Sequence, residues 1–113
     1  DDMGRSLELG TIVPVPADAP PTLCDALQTP RVSPITHAIL KARGARAVAV
    51  GDDEVKQAMR LAWSLHGLVV EPGGAAALAA ILSGKVEAVD GTVAVLSGSN
   101  VDPELHARIV GRG

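Results

Sequence analysis

The sequence predicts an α/β domain with parallel strand pairing. Short apolar runs of strand length alternate with helix-length segments. Two of those runs, Ala45–Val50 and Thr92–Leu96, read as buried strands. The second runs straight into Ser97-Gly98-Ser99-Asn100 and then into a helix start. There are too few strands for a complete doubly wound sheet.

The elements follow in order. Residues 3–9 suit a short helix, which Gly10 can close. Thr11–Val13 reads as a short strand. Residues 14–21 hold four of the eight prolines and predict a rigid extended loop. A helix is expected over 34–43, with Pro34 in its first turn and Gly44 after it. After the Ala45–Val50 strand, Gly51-Asp52-Asp53-Glu54 opens a helix, with Asp52 as cap and acids against the dipole. Val55, Ala58, Met59, Ala62 and Leu65 share one helical face, and Lys56 and Arg60 lie off it. Leu68–Val70 is a short strand or turn that Glu71-Pro72-Gly73-Gly74 breaks. Ala75–Ser83 reads as an Ala/Leu helix stopped by Gly84. The last helix starts at Asp102-Pro103-Glu104, with Asp as cap and Pro at the first helical position, and ends near Gly111.

Composition narrows the function. At 113 residues the chain is one domain or part of one. Hydrophobic residues make up 47% and charged residues 20%, a globular balance. Trp63 is the only aromatic residue, so the core must be small and dense, built from Ala, Val, Leu and Ile. A net charge of −3 with no basic run argues against a nucleic-acid partner. The lone Cys24 cannot form an internal disulfide and points to a reducing cytoplasm. No apolar run nears the roughly 18 residues of a membrane helix, and no signal-peptide pattern opens the chain. The start at Asp1-Asp2 reads as part of a longer chain.

Several stretches can carry chemistry. Ser97-Gly98-Ser99-Asn100 lies at the carboxyl end of an expected strand, where ligands of open α/β sheets bind. Hydroxyls and an amide there can donate and accept, and glycine admits close backbone approach. The same residues also suit an ordinary βα turn with local caps. Glu71-Pro72-Gly73-Gly74-Ala75 precedes a helix whose N-terminus can bind an anion. It lacks the spacing of a P-loop or a dinucleotide fingerprint, and close helix packing explains it equally. Glu71 is a strand-end acid, catalytic or merely solvated. Asp1 and Asp2 offer hard oxygens to Mg²⁺ or Ca²⁺, but such a site needs about six. His37, His66 and His106 show no zinc-ligand spacing. Cys24 reads as a core residue, and Lys41, Lys56 and Lys85 as solvated.

Taken in order, four stretches resemble one family: Asp1-Asp2 before a short helix, "PTLCDAL" at 21–27, "LVVEPGGAAALAAILSGK" at 68–85 and "VAVLSGSNVD" at 93–102. With "DDEVKQAMRLAW" at 52–63 they look like the C-terminal part of the serine/threonine dehydratase and serine racemase family. These are pyridoxal-phosphate enzymes of fold type II. The resemblance implies a tryptophan synthase β-like, three-layer α/β/α domain, of which residues 1–113 form part of the large cofactor domain. It implies that Ser97 hydrogen-bonds the pyridine nitrogen, with Gly98, Ser99, Asn100, Gly73 and Gly74 beside the cofactor. A neutral Ser partner makes the ring a milder electron sink, which suits β-elimination. Asp25 and Glu71 become candidate active-site acids, and Asp2 one ligand of a divalent metal whose other ligands lie upstream.

The implied reaction turns serine or threonine into a 2-oxo acid and ammonia. Serine racemase and hydroxyaspartate dehydratase activities stay open. The implied partners are a small amino-acid substrate, the N-terminal remainder of the enzyme and further copies in a homo-oligomer. The family's Schiff-base lysine and glycine-rich phosphate cup have no match here, so this chain alone is expected to be inactive. No ACT regulatory domain is expected. Three residues depart from the family pattern: Ser99 and Ala26 where it has Gly, and Gly73 where it has Ser. Two readings of other classes compete, a non-catalytic α/β module and a small nucleotide-binding domain using Gly73-Gly74.

Overall fold

The computed structural model describes residues 1–111. Their α-helices are α1 (Asp2–Leu9), α2 (Pro34–Ala42), α3 (Asp52–His66), α4 (Ala76–Leu82) and α5 (Pro103–Val110). Two 3-10 turns, Asp25–Leu27 and Gly73–Ala75, complete the regular elements among the described residues. The chain divides into two compact units.

The first unit is Asp1–Pro21 with Gln28–Ala49, and in it α1 packs on α2. Ser6 is fully buried between them. Its hydroxyl accepts from the Val13 amide at 2.9 Å, and its carbonyl accepts from His37 Nε2 at 3.1 Å. A carbonyl can only accept, so the His37 ring carries its proton on Nε2. Gly10 ends α1 in the left-handed region (φ 69°), as expected for a C-cap. Lys41 donates to the Gly10 carbonyl at 2.9 Å. Pro34 occupies the first turn of α2, where its missing N–H does no harm.

The second unit is Thr22–Leu27 together with the chain from Val50 onward. Here α3 packs on α4 and α5. Its buried stripe of Val55, Ala58, Met59 and Ala62 meets Cys24, Val70, Ala75, Ala79 and Ile109 in one core. Leu65, expected on that stripe, is 65% exposed. At 100° per residue it falls about 70° from the stripe's centre, at its edge. Arg60 lies off the stripe and donates from Nε to the Ile109 carbonyl at 2.7 Å, tying α3 to α5. Asp102 caps α5 as the sequence predicts, accepting from the Leu105 amide at 2.7 Å.

The structure differs from three expectations. The cap of α3 is Gly51, not Asp52, and the Glu54 side chain accepts from the Gly51 amide at 2.6 Å. Asp52 is the first helical residue and points its carboxylate elsewhere. The expected parallel strands are also not seen: no strand forms among the described residues, which are helical or irregular. A strand exists only through a partner's ladder, and Thr11–Val13, Ala45–Val50, Leu68–Val70 and Thr92–Leu96 have no ladder partner among them. Val93 and Val95 of the last run are 82% and 68% exposed rather than buried, whereas Val70 lies in the core and Val50 and Leu96 pack against it. The helix expected over 75–83 begins instead as the Gly73–Ala75 turn before α4.

Candidate functional site

The two turns singled out in the sequence meet inside the second unit. The Glu71 amide donates to the Gly98 carbonyl at 2.8 Å, and the Ser97 amide donates to the Gly74 carbonyl at 3.4 Å. This reciprocal pair locks Glu71–Gly74 to Ser97-Gly98. The packing demands glycine on both sides. A Cβ at Gly74 would fall on the Ser97 carbonyl, which is backbone and cannot step aside. A Cβ at Gly98 would fall on the Glu71 side chain, and Gly98 also holds a left-handed conformation (φ 70°).

Gly73 answers a different neighbour. Its missing Cβ would lie 3.2 Å from Leu27 Cγ, so Leu27 packs where a larger residue would stand. Leu27 ends the turn that carries Asp25. Asp25 is exposed, and its carboxylate accepts from the next amide, Ala26, at 2.8 Å. Thus Asp25, Glu71, Gly73, Gly74, Ser97 and Gly98 belong to one neighbourhood of contacting turns. Asp2 lies on α1 in the first unit, where its Oδ2 is buried with no hydrogen-bond partner among the described residues.

Ser97 and Asn100 are exposed. Ser99 lies at a separate feature, a cavity of about 370 Å³ lined with Trp63, Val69, Val101, Pro103, His106 and Ala107. The His106 ring meets Trp63 edge-on, centroids 5.5 Å apart. Ser99 therefore lines a space apart from the Glu71–Gly98 contact.

Burial pushes the Cys24 thiol above its ordinary value of 9.0. The Thr22 hydroxyl opposes that, and the Asp52 and Asp25 charges reinforce it. A raised thiol is a poor nucleophile at neutral pH, which agrees with Cys24 as a core residue. The three lysines are each engaged: Lys41 with the Gly10 carbonyl, Lys56 with Asp53 at 2.9 Å and Lys85 with Glu54 at 2.7 Å. No group of three His, Cys, Asp or Glu side chains able to hold a metal occurs among the described residues. Sequence patterns miss two features here, the Leu27–Gly73 contact and the reach of Asp52. Both join residues about 30 or more apart, and no local signal marks them.

The fold identifies the class. Over 90% of this chain and 36% of the other, the structure superposes on the crystal structure of a T.th. threonine deaminase, with a TM-score of 0.81 and 35% identity. That is the architecture of a fold type II pyridoxal-phosphate enzyme. Residues 1–98 match the pyridoxal-phosphate dependent enzyme family, and the chain belongs to it. It is similar to a serine racemase of Dictyostelium discoideum, 35% identical over 97% of this chain and 35% of the racemase. It is also similar to a phenylserine dehydratase of Ralstonia pickettii, 36% identical over all of this chain and 35% of the dehydratase. The chain spans about a third of the length of these relatives.

Proposed function

We propose that this chain is the C-terminal portion of a pyridoxal-phosphate-dependent dehydratase acting on serine, threonine or a related 3-hydroxy amino acid. The observation that carries this reading is the Ser97 turn. It is fixed through two backbone bonds to Glu71–Gly74, yet it leaves the Ser97 side chain exposed, with no hydrogen bond to any described residue. A preorganised neutral hydroxyl suits an aromatic ring nitrogen. The donor set therefore fits pyridoxal phosphate at its ring end, with Ser97 as partner and Gly98, Ser99, Asn100, Gly73 and Gly74 as the nearby frame. When bound, that cofactor supplies an electron sink for the substrate's α-carbon.

This chain's own residues contribute position and polarity. Gly74 and Gly98 let the two turns approach closely enough to hold Ser97 still. Glu71 and Asp25 are the carboxylates within this frame, proposed as active-site acids. The engagement of all three lysines supports the view that the lysine bound to the cofactor comes from the remainder of the enzyme, and that this chain alone does not turn over substrate.

A serine racemase reading stands beside this one because a racemase and a dehydratase match the chain equally well. A hydroxyaspartate-type substrate also stays within the proposal. For a divalent metal the residues here do not suffice, so Asp2 is proposed only as one oxygen of a site shared with other parts of the enzyme. Its buried, unpartnered Oδ2 supports that. Exposed apolar side chains such as Ile35, Ile39, Val93 and Val95 support cover by the rest of the enzyme and by further copies of it. No described helix is long and apolar enough to cross a membrane, and we place the enzyme in the cytoplasm.

The test is Ser97→Ala in the full enzyme. Losing one hydrogen bond of about 0.5–1.5 kcal/mol lowers cofactor affinity or turnover about 2- to 13-fold. An unchanged cofactor spectrum, affinity and kcat would remove Ser97 from the site.

A further inference from the structure

We infer that Asp52 is a positioning residue for the cofactor turn, a role that rests on the function proposed above. Its carboxylate reaches 30 residues back along the chain. Thr22 Oγ1 donates to Asp52 Oδ1 at 2.5 Å. The Leu23 amide donates to both oxygens, at 3.1 and 3.2 Å. Thr22 Oγ1 in turn accepts from the Cys24 amide at 3.2 Å. Residues 22–24 are thus strapped to the first turn of α3.

The strap leads directly to the site. The Leu27 amide donates to the Cys24 carbonyl at 2.9 Å, closing the turn that carries Asp25. Leu27 then packs on Gly73. Gly73 adjoins Gly74, whose carbonyl holds the Ser97 amide. Each link is a direct contact or a chain bond inside one compact unit, and the order is Asp52, strap, Leu27, Gly73–Gly74, Ser97.

A carboxylate suits the role chemically. Two donors converge on it from one direction, and a carboxylate accepts at two oxygens with charge assistance. It also starts a helix, where negative charge is favoured. Local rules account for an acid at this position but not for its aim. A helix cap needs only its own helix, whereas Asp52 turns to residues 22 and 23 and leaves the capping to Gly51 and Glu54.

The experiment uses the full enzyme and three variants. Asp52→Ala removes both acceptors. Asp52→Asn keeps Oδ1, which both Thr22 and Leu23 reach, while it removes the charge and turns the second acceptor of the Leu23 amide into an NH2 donor. Thr22→Val removes the hydroxyl with little change of volume and serves if Asp52→Ala does not fold. Two readouts are taken. Labelling of Cys24 by a maleimide, mapped by mass spectrometry on cofactor-free enzyme, reports whether the strap is held. The absorbance maximum of bound pyridoxal phosphate and the split of kcat from KM report whether the turn is placed.

The expected result is Cys24 labelling at least about tenfold faster in Asp52→Ala and Thr22→Val. With it come a shifted cofactor band and a kcat lower by about 10- to 100-fold, the scale of a 1 Å misplacement, at a KM changed far less. Asp52→Asn restores most of both readouts. Unchanged labelling in Asp52→Ala overturns the strap. Faster labelling with wild-type cofactor band and kcat shows a merely structural strap and overturns the positioning role, while the proposed function stands. Wild-type enzyme that takes up no pyridoxal phosphate overturns the proposed function and this inference with it.

Discussion

Replacing Gly98 with Ala tests the locked pair of turns directly. Two costs arise in the structure. Alanine must adopt the left-handed conformation that Gly98 holds, at about 1–2 kcal/mol. Its Cβ must also share space with Cγ, Cδ and Oε1 of Glu71. Glu71 is half-buried and bonded to Gly98 through its own amide, so its side chain cannot leave freely. Overpacking of this kind costs about 1–3 kcal/mol. The single variant is therefore expected to lose about 2–5 kcal/mol locally, as the sum of those two ranges. The three nearest conflicting atoms all belong to the part of Glu71 that Glu71→Ala removes. In that background Gly98→Ala should cost only the conformational part, about 1–2 kcal/mol. The cycle then shows a favourable coupling of about 1–3 kcal/mol. Hydrogen exchange of the Glu71 amide in the full enzyme reads this opening, because that amide is bonded to the Gly98 carbonyl. Strictly additive costs would refute the contact, and so would a single variant no worse than wild type.

Further outcomes follow from other contacts. Gly74→Ala places its Cβ on the Ser97 carbonyl, which has no rotamer to change; it should cost more than Gly98→Ala, and Glu71→Ala should not rescue its Ser97 amide exchange. Met59→Ala, at a fully buried position, should cost about 2–5 kcal/mol in urea unfolding, whereas Leu65→Ala on the exposed edge should stay within about 0.5 kcal/mol. The Glu54 carboxyl is held below its ordinary value of 4.5, first by Lys85 and then by the Gly51 amide. A lowered acid stabilises the fold above its unfolded value and loses that effect as pH falls through the folded one, so acid unfolding of Glu54→Gln should be less steep than wild type below about pH 4.5. Equal acid profiles would contradict that assignment.

Local features were legible in the sequence, and non-local ones were not. Asp102 and Pro103 start α5, and Gly10 ends α1, because caps depend on residues within one turn. The α3 stripe is visible because 3.6-residue periodicity lies within fifteen residues. Strand pairing is a property of partners, and the alternating pattern that suggests a sheet names none of them. Asp52 is deceptive for the same reason: its position at a helix start suggests a cap, and only folding shows the donors of Thr22 and Leu23 beside it. The motif turns were legible one by one as polar, glycine-containing stretches at element ends. Their mutual lock was not, since nothing local in Gly74 announces a carbonyl from residue 97.

The residues that depart from the family's pattern make sense against this lock. Gly73 departs from the pattern the resemblance implies, and the space beside it is taken by Leu27 rather than left empty. Ser99, where a Gly is expected, does not crowd the Glu71–Gly98 contact, because it lines the space beside Trp63 and His106. Cβ atoms at Gly74 and Gly98 would strike the lock itself. A larger residue is thus expected to be tolerated where a side chain can yield or turn outward, and not where a backbone carbonyl or a left-handed turn stands in the way. On the proposed function, that division is what a turn kept rigid to present one hydroxyl, Ser97, requires.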